Sequence, residues 1–223
     1  MATKEEFNKI DNLKWYPWVG DNYFNLPHEK KVFILGESSR YGIGDKDNTI
    51  EKYDDKNYIN HHIEDAISGA YKEYKSKLLS NMHKTLLGSD EIETKKFWNN
   101  VVSTNFIQRA LNYSYKERPS SDDYTIAWKV LFDLYSLLNP KYCIFFGNSA
   151  IHSLKHNIKL SNYQMKEISW DIKIGRYYGY SIKIYNNQDS IDLIFLKHPS
   201  SYYSWEPWRK YLIDKVPIIS ELS

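Results

Sequence analysis

Apolar residues fall along this chain in two kinds of run, short unbroken blocks and longer spaced stripes, and the two alternate. The first block is in "KKVFILGESSRYG". Val32 to Leu35 are continuously apolar and Gly36 follows, which predicts a buried strand running into a tight turn. A stripe comes next: between Asn60 and Leu87 the positions Ile63, Ile67 and Ala70 recur at helical spacing, predicting one long helix that Gly69 weakens without ending. "KKFWNNVVSTNFIQ" reads as a short helix and then a short strand ending near Thr104–Asn105. A second helix starts near Ser120–Ser121, good capping residues with Asp122 and Asp123 in the first turn. Its apolar face holds Ile126, Val130, Leu131, Leu134, Leu137 and Leu138, and Pro140 lies just past its end.

"KYCIFFG" is a buried strand stopped by Gly147, and "NSAIHSL" restarts a helix with Asn148 or Ser149 as cap. "DIKIGRYYGYSIKIY" alternates and predicts a hairpin turning around Gly175–Gly179. "SIDLIFLKHPSS" holds the last buried strand, and a helix around Trp208–Asp214 closes the chain. Before the first block, Trp15–Asn25 reads as an ordered aromatic loop broken by Pro17 and Gly20. Buried strands separated by helices predict an α/β fold with a parallel sheet covered on both faces, one domain over 1–223. Ligands of such sheets sit at the carboxyl ends of the strands. Four strand ends release polar groups there: Glu37–Ser38–Ser39, Thr104–Asn105, Asn148–Ser149 and His198–Pro199–Ser200.

Composition narrows the chemistry. The 223 residues are 42% hydrophobic and 26% charged, an ordinary globular mix, and a net charge of +2 argues for no class of partner. Tyrosine is abundant, at 20 residues, and its ring suits wet binding surfaces as well as cores. The single cysteine, Cys143, permits no internal disulfide, and Cys/His zinc spacing is absent. His61–His62 with Glu64 and Asp65 reads as a solvated helix start rather than a metal site, because adjacent helical residues point apart. No apolar run reaches the roughly 20 residues that span a bilayer, and the N-terminus lacks a signal-like apolar core. The expectation is a cytoplasmic chain without membrane contact. Lysine-rich stretches such as "KEYKSK" read as solvated faces unless the fold gathers them.

One carboxylate, one amide, one imidazole and several hydroxyls therefore converge. The amide can read a planar heterocycle, the imidazole can stabilise an oxyanion on a leaving ring, and the carboxylate can orient water or steady a cationic sugar. These are the parts of an N-glycosidic bond hydrolase. A P-loop and a dinucleotide fingerprint are both missing.

In their order the motifs resemble those of the uracil-DNA glycosylase superfamily. "ILGESSRYG" is similar to its first motif, with Gly36–Glu37 like the Gly-Glu start of the thermophile-type branch. "STNF" places Asn105 at the base-reading asparagine, "FFGNSAIHSL" resembles its hydrophobic-Gly-x-x-Ala segment, and "KHPSSYYS" its His-Pro-Ser motif. The likeness spans roughly Val32 to Trp208, without the iron–sulfur cysteines of one branch. It implies a three-layer α/β/α sandwich around a mainly parallel four-stranded sheet. It implies excision of a flipped-out uracil or modified pyrimidine from DNA, by a monomer needing no metal or cofactor, in repair or in defence against phage DNA. Glu37 and His198 would be catalytic, Asn105 would read the base, and Tyr41 or Phe24 would stack on it. Arg40 stands near the position where the commonest members of the superfamily carry a tyrosine that excludes 5-methyl groups, so the resemblance implies that it leaves room for, or contacts, a substituent. Ser38, Ser39, Ser149, Ser200 and Ser201 would hold DNA. Two other readings stay open: a non-catalytic DNA-binding module on this fold, and a serine esterase with Ser38 as nucleophile, His198 as base and Asp192 as orienter. Against the esterase, the Gly-x-Ser-x-Gly elbow fails at Arg40.

Overall fold

The structure, a computed structural model, describes residues 2–42, 50–73, 75–89, 93–187, 189–200 and 202–222. In chain order the elements are α1 (Lys4–Asn8), β1 (Trp18–Val19), β2 (Val32–Gly36), β3 (Ser39–Tyr41), α2 (Tyr58–Ser68), α3 (Lys77–Leu87), α4 (Lys95–Trp98), β4 (Val101–Asn105) and β5 (Ala110–Asn112). There follow α5 (Ser121–Leu138), β6 (Tyr142–Phe146), α6 (Ile151–Asn157), β7 (Gln164–Met165), β8 (Ser169–Ile174), β9 (Tyr177–Tyr185), β10 (Ser190–Leu196) and α7 (Trp205–Lys215).

The expected four parallel strands form the centre of the sheet, in the order β4-β2-β6-β10. The sheet itself has eight strands, not four: β1 adds antiparallel to β4, and β9 adds antiparallel to β10 and carries β7 and β8. A separate parallel pair, β3 with β5, continues beyond the ends of β2 and β4. The central strands read as unbroken apolar blocks because both faces are buried. Phe33, Leu35, Val102, Cys143, Phe145, Leu193 and Phe195 pack with α5 and α6, while Val32, Ile34, Val101, Ile144, Phe146 and Leu196 pack with α2, α3, α4 and α7.

The α5 start is a capping box. The Asp123 N–H donates to Ser120 Oγ at 3.2 Å, and the Ser120 N–H donates to Asp123 Oδ2 at 2.8 Å. Ile126, expected on its apolar face, is exposed. The stretch expected as one helix over Asn60–Leu87 is two. Gly69 takes φ +79° and ends α2 in the left-handed region, a short 3-10 turn covers Ala70–Lys72, and Ser76 caps α3. The expected cap of α6 also differs: the helix starts at Ile151 behind Ala150, since the Ser149 hydroxyl is engaged elsewhere. The hairpin turns at Gly175–Arg176, and Gly179 lies inside β9. Among the described residues no helix is long and apolar enough to cross a membrane.

Candidate functional site

Register brings the polar strand ends to one line. Gly36 is level with Asn105 on one side and with Phe146 on the other, and Phe146 is level with Leu196, two residues before His198. Backbone bonds hold the edge: the Phe106 N–H donates to Gly36 O at 2.8 Å, and the Gly147 N–H to Leu196 O at 3.1 Å. Beyond this line lies a cavity of about 260 Å³. Glu37, Ser38, Asn105 and His198 form its polar side, and Ile59, Ile63, Leu79, Met82 and Phe146 its apolar side.

Glu37 is fixed by small neighbours. The Ser149 hydroxyl donates to Glu37 Oε1. Gly147, at φ +146°, leaves room for the Glu37 side chain, since a Cβ there would stand 3.2 Å from Glu37 Cβ. Asn105 is equally constrained. Its amide donates from Nδ2 to Ser39 Oγ at 2.7 Å, and a Cβ on Gly36 would stand 2.4 Å from Asn105 Oδ1. Glycine before Glu37 thus lets the amide next door keep this position. His198 is largely enclosed, and that burial pulls its pKa below the ordinary 6.5; Arg40 and Lys197 push the same way, and the nearby Glu37 carboxylate opposes them. The ring is accordingly neutral at neutral pH.

Ser39 also lines the cavity, and the remaining expected residues lie outside it. Ser39 is buried and serves Asn105 instead of facing solvent. Tyr41 is half-buried against Tyr53 and accepts from Asn112 Nδ2 at 3.1 Å, and Phe24 packs on the core with its ring edge-on to Tyr23. Neither ring lines the cavity, because each is drawn into a neighbouring apolar cluster. Arg40 turns away, donating from Nη1 to Glu117 O at 3.1 Å, and reaches His198 only through its field. Ser200 is exposed and opens onto an adjoining cleft, and Ser201 lies outside the described residues. Asp192 is paired with Lys183 at 3.1 Å and Lys141 at 3.6 Å, at the far end of β10 from His198. Six residues of extended chain, roughly 20 Å, separate it from the imidazole it would have to orient in an esterase.

The structure adds aromatic rings that sequence reasoning missed. Tyr58 and His62, on α2, line the cavity with Phe146, and the Tyr58 and His62 rings meet edge-to-face at 4.5 Å. Tyr58 also engages the Ser39 hydroxyl, tying α2 to the Asn105 support. His62 keeps solvent contact on one side, yet protein crowds the other and lowers its pKa. His61 points away, to Asp55 at 3.0 Å and Glu64 at 3.3 Å, so the adjacent imidazoles part as helical geometry demands.

No family model and no curated protein matches the chain. The site's own geometry is what carries a functional reading. A carboxylate held by a serine, an amide held by a serine and a neutral imidazole face one enclosed space lined with rings. Such a set can grip a flat heterocycle, deliver water to one side of it, and donate a hydrogen bond on the other.

Proposed function

We propose that the protein is a DNA glycosylase of the uracil-DNA glycosylase type, which hydrolyses the N-glycosidic bond of a flipped-out uracil or modified pyrimidine. The observation that carries this reading is the convergence of Glu37, Asn105 and His198, from three different strand ends, on one cavity. Helices against both faces of the sheet fit the three-layer sandwich of that superfamily, with the antiparallel edge strands as additions.

In this mechanism the nucleotide leaves the base stack, at a cost of a few kcal/mol, and its base enters the cavity. Asn105 reads the base edge, and Tyr58 or Phe146 supplies the flat apolar contact. Ser149 occupies Glu37 Oε1, so the other carboxylate oxygen takes the water. The water oxygen bonds C1′ as the C1′–N1 bond breaks. The electron pair leaves with the base, whose developing anion accepts a hydrogen bond from His198. A neutral imidazole N–H can make that bond without holding a buried positive charge. The proton lost by water ends on the departed base. The residues invoked need no metal or cofactor, and the partner is DNA bound by a monomer, in repair or in defence against phage DNA.

The test is an oligonucleotide panel carrying uracil, hydroxymethyluracil, and plain or glucosylated hydroxymethylcytosine, followed by alkaline cleavage. Strand breaks at one base establish the reaction and name the substrate. Binding with no breaks on any base overturns the catalytic reading and leaves a DNA-binding module.

A further inference from the structure

The break between α2 and α3 has a consequence for charge. On an unbroken helix Lys72 and Lys77 would stand about 140° apart, at 3.6 residues per turn. Instead α2 ends at Gly69, Lys75 takes φ +51°, and α3 restarts at Lys77. Lys72, Lys75 and Lys77 therefore line the same cleft, joined by Lys84 from further along α3. The cleft encloses about 1000 Å³, and no carboxylate is among the described residues that line it. Its opposite wall is the segment after His198, with Ser200 and Tyr203. Ser76 borders both the cleft and the cavity, so the two spaces adjoin.

The walls are held together. Asn81, on α3, donates from Nδ2 to Pro199 O at 3.0 Å. The Tyr203 ring lies parallel to Trp208, 14° between planes, and its hydroxyl meets Thr85 Oγ1 at 3.0 Å. A ring fixed in this way is a platform for stacking, and several lysines lining the same cleft suit a phosphodiester backbone. Basic grooves that follow the backbone while rings take the bases are the arrangement by which single strands are held. A duplex presents a convex surface and fits such a concavity poorly.

We infer that this cleft is a binding track for single-stranded nucleic acid, leading the strand to the cavity. The inference rests on the glycosylase reading for the choice of nucleic acid over other polyanions. Lys72, Lys75 and Lys77 contact successive phosphates, and Tyr203, in the same cleft, stacks on a base.

The experiment is fluorescence anisotropy of the full chain with a short unmodified strand and with its duplex, over a range of salt. The K72A/K75A/K77A variant is compared with K155A/K159A/K166A, whose lysines line a cleft beside α6, against the other face of the sheet. All three lysines of the first set are exposed, so their loss leaves the core intact. The expected result is tighter binding of the strand than of the duplex. For the first variant, the slope of log K against log salt should fall by about two, three contacts at about 0.7 each on a single strand. The second variant should keep the wild-type slope. An unchanged slope in the first variant overturns the inference, as does equal loss in both, tighter binding of duplex, or binding of anionic vesicles with none of the strand. Excision on the base panel separates the two readings. Strand binding through these lysines with no abasic sites leaves the track standing and removes the glycosylase. Excision with a wild-type salt slope in the first variant does the reverse.

Discussion

Glu37→Gln keeps the shape of a side chain that Ser149 already orients, and removes its charge. It is expected to lower kcat by roughly 10²–10⁴-fold, the usual worth of a positioned acid or base, with DNA affinity nearly unchanged. Equal loss of turnover and affinity would make Glu37 a structural residue. Gly36→Ala places a methyl 2.4 Å from Asn105 Oδ1, the tip of a side chain that can swing aside. The melting temperature should therefore stay close to wild type while excision falls; a large drop in melting temperature with excision intact would count against Asn105 as base reader. For His198, a nuclear magnetic resonance titration should give a midpoint below 6.5, since burial disfavours the charged ring. Glu37→Gln removes the one group that raises it, so the midpoint should fall further; a rise would contradict the proximity of the two. Glu37 and His198 were legible in the sequence because each lies just past an apolar block short enough to read as a buried strand, and Asn105 because it closes the short strand "VVST". The stacking rings were not. Tyr41 closes β3 and Phe24 lies between β1 and β2, but a ring's direction is set by which apolar cluster claims it, and composition does not encode that.

At the scale of elements, α5 shows the legible case: Ser120 and Asp123 at cap spacing before an apolar stripe define its start. Ser120→Ala should cost about 1 kcal/mol by removing one half of the capping box, measurable by chemical denaturation. No loss would mean that burial of Trp128, Leu131 and Leu138 alone sets the helix. The pair α2–α3 is the illegible case. The apolar stripe continues in phase past Gly69, so periodicity argues for one helix, whereas the left-handed glycine ends it. The wall this break creates, with Ile59, Ile63, Leu79 and Met82, looks in sequence like any core-facing stripe. Strands β1 and β7, two residues each, pair through backbone alone and carry no alternation to detect.

Across the whole molecule, stability should decline with acid in two windows. His62 and His198 have pKa values lowered by burial, so below their ordinary 6.5 the unfolded chain binds protons that the folded chain refuses, and stability falls with pH. Asp123 is held down to about 2 by Arg109, whose Nε and Nη2 meet both carboxylate oxygens, so its contribution is complete above 3.8 and is lost as pH falls toward 2. Denaturation midpoints measured from pH 8 to pH 2 should show both declines; a flat profile between 7 and 5 would contradict the lowered pKa of the two imidazoles. Cys143 gives a separate view of the same transition. It is the second residue of β6, a strand flanked by β2 and β10, and is fully buried, which drives its thiol pKa up. A maleimide can reach it only when α5 parts from the sheet, so the labelling rate of this one sulfur is a clock for opening of that core layer.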